Sequence, residues 1–226
     1  NDIKQDQVTI YSYYKPDIQK IVCTHIEKYL TELNKKAKML KLQAACVILD
    51  SETGGVVAAY NGRLSHQISL PRTFYARHVA STIKPLIMYF ALSKGDLVDT
   101  LYEDEPLIMD SGWRPSNNNR EFGGCMTLQK AIIQSNNIIP TKVLLKYDIV
   151  DFVDLAKKIN CFFNVCPYYS IALGCVDSNV FLMSSYILMF FNEGTYIHPA
   201  FARMIISDKR NISYKHCTEQ KILLDK

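Results

Sequence analysis

The pattern of apolar and polar positions in the first 62 residues predicts a strand, a long helix and a hairpin. Residues 8–14 (VTIYSYY) alternate and are rich in β-branched and aromatic side chains, which is typical of a short strand. Pro16 opens a helix that runs to about Lys41. Its apolar stripe consists of Ile18, Ile21, Val22, Ile26, Tyr29 and Leu33. The runs QAACVILD and VVAAYNG, joined by the turn SETGG, predict a β-hairpin with both strands largely buried.

The middle of the chain predicts a loop, one helix and a second loop. Residues 63–80 are irregular and polar, as expected for a loop on the surface. A helix begins near Ser81 and ends at Gly95, which suits the position just after a helix. Its apolar stripe consists of Ile83, Leu86, Ile87, Phe90 and Ala91. Residues 96–124 include the string GWRPSNNNREFGG and have the composition of a loop.

The second half of the chain predicts four further helices. Thr127 can cap a helix that carries LQKAIIQS, and Pro140 suits the first turn of the next one. Residues 148–159 form a third, amphipathic helix. Asp177 or Ser178 caps the last helix, VFLMSSYILMFF.

This order of elements predicts an α+β fold in which helices flank an antiparallel sheet. Only about three strands are visible, and a sheet that small needs more strands or helix cover to be stable. We therefore expect that C-terminal strands of the sheet are missing from this chain. No internal repeat or linker interrupts residues 1–226, which predicts a single, incomplete domain.

Charge and composition exclude several classes of function. The chain has 26 basic and 22 acidic residues, a balance too even for a nucleic-acid surface. Its seven cysteines fit no zinc spacing and its five histidines form no paired-ligand pattern, so we expect neither a metal site nor a cofactor. The sequence contains neither a membrane-spanning apolar run nor a signal peptide. The protein is therefore cytoplasmic, or the chain is a fragment whose targeting segment lies upstream.

The pattern Ser-x-x-Lys-Pro occurs twice, with Ser12 and Lys15 in the first copy and Ser81 and Lys84 in the second. About one Ser-x-x-Lys pair is expected by chance in a chain of this composition. Residues three apart on a strand point to opposite faces, so Ser12 and Lys15 cannot converge. In the first turn of a helix, residues three apart face the same way, so the second pair can meet.

A serine hydroxyl beside a lysine amine at a helix start suits nucleophilic catalysis. The amine takes a proton only in its neutral form, and both burial and the positive end of the helix dipole favour that form. Backbone N–H groups at the same helix start can stabilise an oxyanion. A capping serine followed by a surface lysine explains the same residues, so the local sequence leaves Ser81 and Lys84 open to both interpretations.

A second polar motif, Ser-x-Asn, also occurs twice. Ser116 and Asn118 lie in the predicted loop and are expected to form a turn. Ser135 and Asn137 lie at a corner between two helices, where short polar side chains can project into a cleft, and are the better candidates.

With these motifs in place, the sequence resembles the transpeptidase domain of class A, bifunctional penicillin-binding proteins. The resemblance covers nearly the whole chain in order. It is carried by VTIYSYYKPDIQKIV, AACVILDSETGGVVAAYNGR, YARHVASTIKPLIMYFAL, GWRPSNNNREFGGCMTLQKAIIQSNN and YYSIALGCVDSNVFLMSSYILMFFNEGTYIHPAF. It implies the fold shared by these domains and the serine β-lactamases.

The resemblance also implies roles for four residues. Ser81 would be the acylated nucleophile and Lys84 its general base, while Ser135 would relay a proton to the leaving group and Asn137 would bind the substrate's peptide backbone. The implied enzyme is a serine D,D-transpeptidase that cross-links peptidoglycan stem peptides ending in D-Ala-D-Ala and is inhibited by β-lactams, without a metal or cofactor. The implied location is the periplasmic, extracytoplasmic face of the bacterial inner membrane, with a membrane anchor and a glycosyltransferase domain outside this chain.

Two departures from the family pattern keep other functions open. Ala80 stands where the family commonly has glycine, and the chain reaches Lys226 without a Lys-Thr-Gly or Lys-Ser-Gly motif. In the family that motif lies on a downstream strand and supplies an oxyanion donor. The alternatives are a non-catalytic remnant or scaffold and a β-lactam sensor domain. A serine β-lactamase is less well supported, because no candidate for a deacylating glutamate is evident.

Overall fold

The structure is a computed structural model that describes residues 8–37, 42–63, 71–207, 214–216, 221, 222 and 224. Its contacts group into two compact units. The split unit comprises residues 1–75 and 179–226, and the continuous unit comprises residues 76–178. The expectation of one domain over residues 1–226 stays a prediction.

The described residues form six α-helices and eleven short strands. The helices are α1 (Pro16–Ala37), α2 (Lys84–Ser93), α3 (Leu128–Ile133), α4 (Ile138–Lys146), α5 (Ile149–Ile159) and α6 (Val180–Phe191). The strands are β1 (Val8–Ser12), β2 (Cys46–Leu49), β3 (Val56–Tyr60), β4 (Arg77–His78), β5 (Leu101–Asp104), β6 (Gly124–Thr127), β7 (Asp177–Ser178), β8 (Thr195–Tyr196), β9 (Ala202–Ser207), β10 (Tyr214–Lys215) and β11 (Lys221–Ile222). The pairings between these strands are antiparallel, as the α+β prediction requires.

The split unit contains a three-stranded sheet in the order β1-β9-β10 and the predicted hairpin β2-β3. Helix α1 packs on β3, and α6 packs on β2. Strand β3 is buried as predicted, whereas β2 is only half-buried. The predicted end of α1 near Lys41 lies outside the described residues, as does the loop over residues 64–70.

The buried face of α1 differs from the predicted stripe. Val22 and Leu30 are buried, whereas Ile21, Tyr29 and Leu33 are exposed. The polar residue Gln19 explains the rotation, because its side chain bonds both to the Ala59 carbonyl (2.8 Å) and to the Ala59 N–H (3.0 Å) on β3. These two bonds turn the helix toward Leu30, which apolar periodicity alone did not identify.

Helix α6 starts one or two residues later than predicted. Its N-cap is Asn179, whose side chain accepts a hydrogen bond from the Leu182 N–H at 2.8 Å. The predicted caps, Asp177 and Ser178, instead form β7. Both residues pair with β4, and the Asp177 carbonyl also accepts a hydrogen bond from the Phe163 N–H (2.7 Å), so strand pairing takes precedence over capping.

The continuous unit has its core around α2. The predicted stripe of this helix is confirmed, since its five apolar positions are at most 2% exposed. Phe90 meets Phe152 of α5 edge to face, with ring centroids 5.4 Å apart. Helices α3 and α4 also contact α2. This packing holds the start of α2 in a fixed position.

The segment 96–124, predicted to be a loop, contains strand β5, so that prediction was wrong for Leu101–Asp104. Along this strand Tyr102 and Asp104 are buried, whereas Leu101 and Glu103 are exposed. Its partner β6 lies about twenty residues downstream. A four-residue strand with polar positions on both faces has no clear pattern in the sequence. It forms a strand because it pairs with β6.

Candidate active site

A tight turn carries Ser81 into the start of α2. Ala80–Ile83 form one turn of 3₁₀-helix, and the α-helix begins at Lys84. Residues three apart eclipse each other in a 3₁₀-helix, so Ser81 and Lys84 lie on one side. Pro85 is the second residue of α2, where its missing N–H costs no helical hydrogen bond.

Backbone contacts with the segment around Gly174 hold this turn. The Val79 N–H donates to the Val176 carbonyl (3.0 Å), and the Ala80 N–H donates to the Gly174 carbonyl (3.2 Å). A Cβ at Gly174 would lie 1.9 Å from the Ala80 oxygen, so only glycine permits the approach. Ala80 itself has a left-handed φ of +48°. A position with this φ favours glycine, which gives the departure at Ala80 a conformational cost.

The amine of Lys84 is buried and held by the corner between α3 and α4. Lys84 is 2% exposed. Its Nζ lies 2.6 Å from the Ser135 carbonyl oxygen, 3.1 Å from Ser135 Oγ and 2.7 Å from Asn137 Oδ1. In the described part of the chain, no carboxylate forms an ion pair with it. Burial without a counter-charge lowers the pKa of Lys84 to about 8.

Residues 135–137 lie between α3 and α4, as predicted. Hydrogen bonds within and next to this corner hold it in place. Ser135 takes a left-handed φ of +53°, which reverses the chain after α3. The Asn136 side chain accepts from the N–H groups of Ile138 and Ile139 (2.8 and 2.9 Å), so it caps α4. The reversal turns the Ser135 carbonyl and hydroxyl toward Lys84.

The loop over residues 113–123 supports Asn137 from the other side. The Asn137 N–H donates to Asn117 Oδ1 (2.9 Å), and its side-chain NH₂ donates to the Ser116 carbonyl (2.8 Å). The remaining oxygen of the Asn137 amide therefore faces Lys84. The other Ser-x-Asn copy begins a turn, in which the Arg120 N–H donates to the Asn117 carbonyl at 2.9 Å.

An open cleft of about 650 Å³ lies beside these groups. Ser81, Ser135 and Asn137 line it. Its remaining wall consists of amides, two acidic side chains and a few apolar groups: Asn117, Asn118, Asn119, Gln134, Asn136, Asp104, Glu121, Phe122, Gly123 and Met126. Ser81 is exposed to the cleft, and its hydroxyl makes no hydrogen bond with any described residue. A ligand in the cleft would therefore meet a serine hydroxyl that no described residue engages.

The structure thus brings the four predicted site residues into one region of the continuous unit, around Lys84. The residues that support them, among them Asp104, Asn117 and Gly174, were not predicted from the sequence. A glycine and an amide in loop composition carry little signal by themselves. Across the described ranges, no group of three metal-ligating side chains is found and no helix has the length and apolar character to cross a membrane.

Comparison with known proteins decides the family. The sequence profile described as "Penicillin binding protein transpeptidase domain" matches residues 44–161, which include Ser81 and the corner at 135–137. The chain belongs to the penicillin-binding protein transpeptidase family. The predicted resemblance is confirmed.

Individual relatives of this family agree. Penicillin-binding protein 1A of Aquifex aeolicus is 29% identical over 193 residues, covering 82% of this chain and 26% of that protein. The protein of the same name from Neisseria cinerea is 35% identical over 111 residues, covering 46% of this chain and 14% of that protein. The chain thus spans about a quarter or less of the length of these relatives.

Solved structures of penicillin-binding proteins confirm the α+β transpeptidase fold. PonA1 of Mycobacterium tuberculosis matches with a TM-score of 0.81 at 19% identity, over 99% of this chain and 61% of that one. Penicillin-binding protein 1A of Haemophilus influenzae matches with a TM-score of 0.69 at 24% identity, over 79% of this chain and 28% of that one. PonA1 has also been solved in complex with penicillin V, and penicillin-binding protein A of M. tuberculosis as an imipenem acyl-enzyme.

Proposed function

We propose that this chain carries the acylation machinery of a serine D,D-transpeptidase, with Ser81 as the nucleophile and Lys84 as its general base. The observation that carries the proposal is the buried Lys84 amine, held by Ser135 and Asn137 beside a cleft that Ser81 lines. A lysine buried without a carboxylate is costly to charge, which suits a base and not a structural ion pair.

The hydrogen-bond partners of Lys84 support a proton path through Ser135. Burial lowers the pKa of Lys84 to about 8, so more of the amine is neutral at pH 7 than for an ordinary lysine. A neutral amine has two N–H groups and one lone pair. The Ser135 carbonyl and Asn137 Oδ1 can only accept hydrogen bonds, whereas the Ser135 hydroxyl can also donate. The lone pair therefore faces a hydroxyl group at the edge of the cleft.

In the proposed reaction, Ser81 Oγ attacks the carbonyl carbon of the penultimate D-Ala of a stem peptide, and its proton passes to Lys84 by way of the Ser135 hydroxyl. The C–N bond to the terminal D-Ala then breaks, and that leaving amine takes its proton through Ser135. An amine from a neighbouring stem attacks the Ser81 ester, forms the cross-link and returns the hydroxyl proton. Asn137 would bind the peptide backbone of the donor stem. β-Lactams would stop at the ester, because their leaving amine stays attached.

The reaction implies the partners and the location of the protein. The proposed substrates are peptidoglycan stem peptides ending in D-Ala-D-Ala, and the proposed inhibitors are β-lactams. The related structures with penicillin V and imipenem support the second assignment. Because such stems lie outside the cytoplasm, we place the protein at the periplasmic face of the inner membrane. An anchor and a glycosyltransferase domain would lie outside residues 1–226.

Covalent labelling tests the proposal against its alternatives. A fluorescent penicillin is added to the full-length natural protein and to its Ser81→Ala and Ser12→Ala variants. Because Ser81 lines the cleft together with Ser135 and Asn137, whereas Ser12 lies at the exposed end of β1, labelling should vanish in S81A and stay unchanged in S12A. Labelling that survives S81A, or an intact mass without a penicilloyl adduct on the wild type, would contradict it. Release of D-alanine from a pentapeptide separates a transpeptidase from a sensor domain.

A further inference from the structure

The acidic residue Asp104 lines the cleft and has no cationic partner among the described residues. It is 2% exposed at the end of β5, and no described lysine, arginine or histidine forms an ion pair with it. Its carboxylate accepts hydrogen bonds from Asn117 Nδ2 (3.0 Å to each oxygen) and from the Gly123 N–H (2.8 Å). A buried carboxylate satisfied only by neutral donors is costly, so its retention here calls for a role.

The carboxylate fixes the orientation of one amide. A carboxylate only accepts hydrogen bonds, so the Asn117 NH₂ must face Asp104, and its second hydrogen goes to the Glu121 carbonyl at 2.8 Å. The Asn117 oxygen is thereby turned to the opposite side, where it accepts from the Asn137 N–H at 2.9 Å. A flipped Asn117 would set its oxygen against two acceptors and its NH₂ against a donor.

The same polarity continues to the lysine. The Asn137 NH₂ is bound by the Ser116 carbonyl, so the Asn137 oxygen is the atom that meets Lys84 Nζ at 2.7 Å. Three hydrogen bonds thus run in one direction. Lys84 Nζ donates to the Asn137 side-chain oxygen, the Asn137 backbone N–H donates to the Asn117 side-chain oxygen, and the Asn117 NH₂ donates to Asp104. Reversal of the Asn137 amide would break its hydrogen bonds with Lys84 and Ser116, and reversal of the Asn117 amide would break those with Asp104, Glu121 and Asn137.

We infer that Asp104 is a positioning residue of the site, which acts through Asn117 to hold Asn137 and the Lys84 amine in the arrangement needed for acylation. This inference rests on the proposed function. Asp104 forms no bond with the reacting groups themselves, since Asn117 and Asn137 lie between it and Lys84. Asp104 orients the base but takes no part in the bond-making and bond-breaking steps.

The isosteric substitution Asp104→Asn tests the inference. Its NH₂ would face a donor, either Asn117 or Gly123, so the Asn117 amide would lose part of the contact that fixes it and would hold the Asn137 N–H less firmly. We expect the first-order rate constant for acylation by penicillin to fall at least about tenfold, with the dissociation constant of the initial complex changed less than about twofold. A purely structural role would lower the amount of folded protein without this split.

The matched control is Asp96→Asn in the same unit. Asp96 is also buried (6% exposed) and accepts hydrogen bonds from Tyr102, Lys146 and Tyr147, but it does not line the cleft. D96N should destabilise the fold and leave the acylation rate of the folded fraction unchanged. D104N acylating within twofold of wild type, or D96N slowing acylation as much as D104N, would overturn the inference.

A second readout separates this inference from the proposed function. In NMR spectra of the same protein, D104N should shift the side-chain amide resonances of Asn117 and Asn137, and D96N should not. If wild type fails to acylate but these shifts appear, the proposed function is wrong and the relay itself stands. If wild type acylates and the shifts are absent, only the relay is wrong.

Discussion

The two copies of Ser-x-x-Lys-Pro have the same residue pattern and opposite environments. Ser12 ends β1 and is exposed, and the side chain of Lys15 is 57% exposed with its Nζ 3.9 Å from Asp50. Ser81 lies in a 3₁₀ turn beside a cleft, and Lys84 is buried with three hydrogen bonds. Burial without a counter-charge favours the neutral amine, and this condition is met at Lys84 alone of the two lysines.

The start of the helix decides this difference. Pro16 is the first residue of α1, so Lys15 lies before the helix and its N–H donates to the Val57 carbonyl at 2.9 Å. Pro85 is the second residue of α2, so Lys84 is the first. Lys84 is buried in the chain between Ile83 and Leu86, which are both fully buried. Both lysines directly precede a proline, but the helix begins after the surface lysine and at the buried one.

Alanine substitution of each lysine in turn is the strongest test of the difference between the two copies. Lys84→Ala should slow acylation by penicillin about 100- to 10,000-fold, because the nucleophile loses its base. Lys15→Ala should leave the rate unchanged. Stopped-flow measurement of acylation on folded protein compares the two variants.

The dependence of the wild-type acylation rate on pH gives a second test of Lys84 as the base. Only the neutral amine accepts a proton, so the rate should rise with pH and level off above about 8, the pKa of Lys84. Comparable losses in K84A and K15A, or a rate that is flat between pH 6 and 9, would refute the role of Lys84.

The backbone approach at Gly174 offers the next largest effect. Gly174→Ala places a Cβ 1.9 Å from the Ala80 oxygen, so the turn that carries Ser81 must move. We expect a loss of about 2 kcal/mol or more in the free energy of unfolding, together with slower acylation. Denaturant unfolding and penicillin labelling measure the two effects.

Gly95→Ala is the control for this change. Gly95 also has a positive φ (+103°), but a Cβ there meets nothing within 4 Å. It should lose only about 1 kcal/mol and keep its acylation rate. If the two alanine variants behave alike, the close approach at Gly174 has no special role.

The smallest effect is expected at Ala80, the residue that distinguishes this turn from the usual family pattern. Ala80→Gly relieves a left-handed φ of +48° and should stabilise the fold by about 0.5–1 kcal/mol. Ala91→Gly, inside α2, should instead destabilise it by about 1 kcal/mol. Thermal or denaturant unfolding compares them, and a destabilised A80G would show that the φ at Ala80 is not strained.

Local physics made several features of the fold predictable. The cap at Thr127 is confirmed by its hydrogen bond from the Lys130 N–H (3.1 Å), and the buried stripe of α2 follows the helical period. The errors arose where a distant partner outweighed a local preference. Gln19 rotated α1 through its bonds to β3, and β5 formed because β6 pairs with it.

The sequence by itself determined that Ser81 and Lys84 lie at a helix start and that residues 135–137 form a corner, because capping, proline placement and helical period act over a few residues. Only the tertiary structure decided that these two places meet, since a 2.7 Å contact between Lys84 and Asn137 joins positions 53 apart in the chain. The hydrogen bonds between Asp104 and Asn117 likewise form only through the tertiary structure. The direction of a hydrogen bond depends on which groups folding brings together, and no local pattern of residues encodes it.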